Sequence, residues 1–152
     1  MKLDEVQAAV AERLAASDEL AGVTVLLDDG LYPKIPALEA ALETKGLALV
    51  VFEPVSAGTV AKGSGSVGAL NVNVRVEILE NVGINRGVTG TKIGALKATR
   101  LVLEAVSGQV QQGFRQTFVL ADTAFSDGGT LEGLRHYNAV LEILIPITPP
   151  PK

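Results

Sequence analysis

The sequence predicts an α+β domain: a mixed, mainly antiparallel sheet with helices packed on one face and a long glycine-rich hairpin loop. Three observations carry that expectation. Leu70 to Ile78 and Tyr137 to Ile145 alternate along the chain, as strands with one buried face do. The N-terminal stretch and the stretch around residues 91–107 space their apolar residues by three and four, as amphipathic helices do. Apolar residues make up 47% of the 152, ample for a core, and aromatics only 4%, so that core has to be built from Val, Leu, Ile and Ala.

In chain order, Leu3, Val6, Val10 and Leu14 mark one stripe of a helix from Leu3 to Ala16. Val23 to Leu27 is a short β-rich run, closed by Asp28-Asp29-Gly30 as a turn. Pro36 suits a first helical position, with Leu38, Ala41 and Leu42 on one side of a short helix and Gly46 as its stop. Leu47 to Val55 is nearly all apolar and reads as one buried strand. The clearest strand is Leu70 to Glu80, where Leu70, Val72, Val74, Val76 and Ile78 alternate with Asn71, Asn73, Arg75 and Glu77.

Two glycine-rich connections flank it, Ser56 to Ala69 and Asn81 to Gly90, and loops of that length in a small domain are functional or slack. Thr91 to Ser107 follows as a helix ended by Gly108. Its main stripe is Ile93, Leu96, Leu103 and Val106, with a small flanking face of Ala95, Ala98, Val102 and Ala105. Thr117 to Ala121 and Tyr137 to Ile145 complete the sheet. Residues 1–146 therefore form one domain, and 147–152 an extended tail whose three prolines cannot join a ladder.

Composition narrows function by exclusion. No apolar run approaches the ~20 residues of a membrane helix, and Asp4 and Glu5 stand where a signal peptide would be apolar. With no Cys and one His, disulfides, thiolate metal sites, a Cys nucleophile and a two-histidine zinc site within one subunit are excluded. Gly63-Ser64-Gly65-Ser66-Val67-Gly68 matches the dinucleotide pattern literally, but that chemistry needs a helix to start at the glycines, and here a strand follows. Asp28 with Asp29, and Asp122 with Asp127, are paired acids near turns, where Asp bonds local backbone; neither pair has the spacing of a calcium loop. His136 falls on the face opposite Tyr137 and reads as a surface residue. No nucleophile elbow surrounds any serine. The chain is therefore expected not to be an enzyme, and to hold no catalytic, cofactor or metal site.

Charge is what remains. Residues 1–54 carry four Lys/Arg against ten Asp/Glu, a net of −6; residues 55–100 carry six against two, a net of +4; the rest is −2. Acids Asp28, Asp29 and Glu53 lie near strand ends, and bases Lys62, Arg86, Lys92, Lys97 and Arg100 lie in the middle third. These eight are the candidate protein–protein interface, since oppositely charged regions of one chain can meet across copies of it. An acidic whole argues against sequence-specific nucleic-acid binding.

The order of these elements resembles a known family. Val6-Gln7-Ala8-Ala9-Val10-Ala11-Glu12-Arg13-Leu14 leads into a short strand. The apolar strand around Ala48-Leu49-Val50-Val51-Phe52 follows, then the glycine-rich excursion, the alternating strand Leu70 to Glu80, a helix and two closing strands. This is similar to the tail terminator (tail completion, or minor tail) proteins of tailed bacteriophages. The resemblance implies a virion protein, made in the host cytoplasm, that forms a ring, typically of six subunits. The ring would cap the tail tube, halt its growth, and present a surface to the head–tail connector while DNA passes through. Its partners would be itself, the tail tube protein and the connector or neck protein. Head-side neck and head-completion proteins share this texture. A small enzyme with a site between subunits, or a monomeric adaptor, are the readings from other classes.

Overall fold

A computed structural model describes residues 2–28, 30, 35–62, 66–106, 119–131 and 134–146. The expected Pro-rich tail, 147–152, lies outside them. A 3-10 turn, Leu3–Glu5, precedes helix α1, Val6–Ala16. The expected single helix is therefore divided: Lys2 N–H donates to the Glu5 carboxylate at 3.0 Å, and Leu3 stays outside the stripe. Val6, Val10 and Leu14 are fully buried on one side of α1. Strand β1 is Thr24–Leu27, helix α2 Ile35–Thr44 and strand β2 Leu47–Val51. β1 and β2 pair in parallel, with Thr24 opposite Ala48 and Leu27 opposite Val51, and α2 supplies the crossover that parallel neighbours need.

The apolar run expected as one strand, Leu47 to Val55, is interrupted. Phe52 N–H still donates to Arg75 O at 2.9 Å, but Pro54 has no N–H to give, and pairing resumes as β3, Val55–Lys62. β2 and β3 thus follow one another along the same edge of β4, Ser66–Asn81. β2 pairs with residues 76–80 of that strand and β3 with residues 66–73. The expected glycine-rich loop 56–69 is a hairpin whose arms are strands. Glycine and serine are poor strand formers, and β4 as a template overrides them, with register shifts at Ser56/Gly58 and Val60/Ala61 absorbing the misfit. Residues 63–65 at its turn lie outside the described residues.

After β4 come a single helical turn, α3, Val82–Asn85, and helix α4, Ala95–Val106. β5, Val119–Leu131, and β6, Leu134–Pro146, close the sheet. β6 pairs with β4 from Ala69↔Pro146 to Asn81↔Leu134. Asp122 and Asp127, expected in a loop, belong to β5, whose ladder with β6 shifts register between Leu120 and Phe125 and between Asp127 and Gly129. The turn-forming residues survive there as irregularities in an edge strand.

The sheet order is β1-β2-β4-β6-β5, with β3 beside β4. All pairs but β1–β2 are antiparallel, as expected. α1 and α4 cover one face, and the main core lies there: Leu47, Leu49, Val51, Val72, Val74, Val76, Ile78, Leu141 and Ile143 against Val10, Leu14, Ala98 and Val102. The expectation of helices on one face misses α2, which packs Ala41 and Leu42 on Ala48, Val50 and Leu79 of the opposite face. That is why all five β2 residues are buried. The buried side of α4 is also corrected. Ala95, Ala98, Leu101, Val102 and Val106 face the core, whereas Leu96 is 58% exposed and Ile93 precedes the helix. Small residues win because α4 lies close to both α1 and the sheet. Among the described residues no helix is long and apolar enough to cross a membrane.

Candidate functional site

The sheet carries Asp28 and Glu53 at one end of β2, and Arg86 and Lys92 at the other. At the C-terminal end, Asp28 follows β1; its N–H donates to Val51 O at 2.9 Å, and its Oδ1 accepts the Gly30 N–H at 2.8 Å. The Gln7 amide of α1 donates to both Asp28 O and Val51 O, at 2.6 and 2.9 Å, and so locks these two strand ends together. Asp28 and Glu53 then line an open cleft of about 420 Å³ with Gly30, Phe52, Val55, Asn73 and Arg75. Val55 stands 67% exposed at this cleft. Arg75 stacks over Phe52, 4.1 Å from the ring centre, and reaches Glu77 at 3.8 Å, so its charge is already partly engaged. Asp29 lies outside the described residues.

At the N-terminal end of β2 the expected second glycine-rich loop is a tied structure. Asn81 caps α3 through its side chain, which accepts the Ile84 N–H at 3.4 Å. Glu80 and Asn85 are both fully buried. Asn85 Nδ2 donates to Glu80 Oε2 at 2.5 Å and to Ile93 O at 2.7 Å, and Asn85 Oδ1 accepts from the Thr91 N–H at 3.1 Å and from the Thr91 hydroxyl. Glu80 Oε1 accepts the Ala95 N–H at 3.2 Å, placing a carboxylate at the start of α4, where the helix dipole favours it. Gly46 ends α2 at φ +78°, and a Cβ there would lie 2.2 Å from Asn85 N. Lys92 is held at φ +64°, its N–H donating to Asn85 O at 3.0 Å. A non-glycine residue in that region costs about 1–2 kcal/mol, which the surrounding bonds offset.

This scaffold presents Arg86 and Lys92, both exposed, which flank in sequence Val88, 97% exposed. Lys97 is exposed on α4. Arg100 is exposed but paired along its own helix with Glu104, at 2.8 and 2.9 Å, and that pairing raises its guanidinium pKa. Lys62 pairs through its backbone with Ser66 in the β3–β4 hairpin. Five strand residues separate the Asp28 end from the Arg86 end, about 16 Å at the usual rise, so Asp28 and Arg86 do not meet within one subunit.

The outer face of β4 and β6 is polar. Asn71 Nδ2 donates to Glu142 at 3.1 Å, and His136 Nε2 lies 3.2 Å from Glu77 Oε1. His136 is not the surface residue expected: its side chain is 14% exposed, because β6 continues past it and puts it beside Glu77. Among the described residues no three acidic or histidine side chains converge as a metal site would require.

Sequence reasoning missed Glu80, Asn85 and Val88. Glu80 was within reach, since it continues the inward parity of Val72, Val74, Val76 and Ile78. Asn85 and Val88 carried no periodic signal.

No known sequence family matches the chain, and neither does any curated protein. Among solved structures, a chain from the virion of a native gene transfer agent particle is similar in fold. Its TM-score is 0.59 at 18% identity, over 93% of this chain and 94% of that one. A second solved protein, which carries no functional description, aligns over 99% of both chains with a TM-score of 0.55 at 17% identity. At these identities the likeness is one of fold.

Proposed function

We propose that this protein is a structural subunit of a virion that closes into a ring, most simply of six copies, and caps the tail tube. In that position it stops tube growth and offers the surface to which the head connector attaches. The observation that supports this best is the fold shared, over nearly the whole chain, with a virion chain. The distribution of charge agrees with it. A ring needs heterologous contacts, in which different surfaces of one subunit meet. Asp28 and Glu53 at one end, and Lys62, Arg86, Lys92, Lys97 and Arg100 elsewhere, would supply complementary sides. The polar outer face of β4 and β6 suits a wet channel or a tube contact. Catalysis has no part in this reading, which needs only shape and charge.

The test is to mix purified protein with tail tubes and image them by negative stain. Rings on tube ends, and tubes of fixed length when the protein is present during polymerisation, are the expected result. A protein that stays monomeric and ignores tubes overturns it. Rings that bind the connector but not the tube would instead assign the protein to the head side of the neck.

A further inference from the structure

We propose that the 86–92 loop of one copy seats in the cleft beside Asp28 and Glu53 of the next copy, making the loop the insert that joins subunits head to tail. This rests on the ring reading and names the contact within it. The two surfaces match in chemistry. The loop offers an exposed apolar residue, Val88, with an exposed cation on each side of it in sequence, Arg86 and Lys92. The cleft is lined by Phe52 and Val55 and by two carboxylates, Asp28 and Glu53. Arg75, the cation in the cleft, already faces Phe52 and Glu77.

The two surfaces also match in mechanics. The Glu80–Asn85–Thr91 hydrogen bonds and the link from Thr91 N–H to Lys45 O fix the loop before any partner arrives. Binding therefore does not have to order it, which removes a main cost of loop-mediated association. Val88, 97% exposed on this tied loop, is free to enter a neighbour's cleft. Because loop and cleft sit at opposite ends of β2, each copy can engage two others at once.

The chain has no cysteine, so introduced thiols report without background. The variant Val88→Cys mixed with Val55→Cys should give, on mild oxidation, a covalent 1:1 dimer. The double variant should give a ladder of multimers that ends at the ring size. Val88→Asp and Arg86→Glu should each weaken self-association at least about tenfold by sedimentation velocity, with unchanged circular dichroism. Mixing Val88→Asp with Val55→Asp should restore one contact and produce a heterodimer that grows no further. A wild-type protein that forms rings while giving no 88–55 crosslink, and whose rings tolerate Val88→Asp, overturns this contact and leaves the ring. A double-variant ladder that stops at two means a two-fold contact and overturns the head-to-tail arrangement. A wild type that forms no ring, alone or on tube ends, overturns the ring reading and this contact with it.

Discussion

Glu80 is a fully buried carboxylate at the end of the β2–β4 ladder, and its neighbours explain how it is tolerated. Asn85 and the Ala95 N–H occupy both of its oxygens, so burial leaves no acceptor unmet. Removing the charge while keeping the shape should still cost stability. Glu80→Gln must turn an amide NH₂ toward one of those two donors, an expected loss of about 1–3 kcal/mol in urea unfolding. Asn85→Asp tests the same contact by pH. It puts a second carboxylate against Glu80, so the native state favours a proton that the unfolded chain, near pH 4, readily gives up. Such a pair would titrate above its unfolded value, so the penalty is full above the native pKa, fades as pH falls toward the unfolded value and is gone below it. The variant should therefore melt higher at pH 4 than at pH 7 relative to wild type; a constant gap would show that the new carboxylate turns away.

At the scale of elements, α4 separates what the sequence made legible from what it did not. Its existence follows from spacing alone, although it begins at Ala95 rather than at Thr91. Its buried side does not, because two stripes of similar hydropathy were available and contact with α1 and the sheet chose the smaller one. Paired substitutions check this choice: Ala98→Leu should overpack the core and cost about 1–3 kcal/mol, while Leu96→Gln, on the exposed side, should stay within about 0.5 kcal/mol. The long strands were likewise legible where one face is dry and the other wet. β3 was not, since its Ser, Gly and Ala residues have little strand preference and are held by the partner strand rather than by their own pattern. Of the interface candidates, sequence supplied sign and location. The opposite placement of Asp28 and Arg86 depends on β2 pairing with the last residues of β4, a non-local fact.

For the whole molecule, association and folding should respond differently to solvent. The fold rests on an aliphatic core and buried hydrogen bonds, whereas the proposed subunit contact joins exposed charges across a short apolar patch. Raising salt toward 1 M shortens the screening length to about 3 Å, so ring formation should slow severalfold while the melting temperature changes little. Chelators should leave both unchanged, and loss of rings in EDTA, restored by Mg²⁺, would point to a carboxylate site instead.

β4 has a further consequence. At about 3.3 Å per residue its sixteen residues reach roughly 50 Å, and it is the longest strand among the described residues. β2 and β3 share one of its edges and β6 runs along the other, with partners from Ala69 to Asn81. A pull along this axis loads those ladder bonds together, in shear, instead of opening them one after another like a zipper. In the proposed position between tube and head a subunit would be subject to tension and torque, and such a strand would act as its tie-rod.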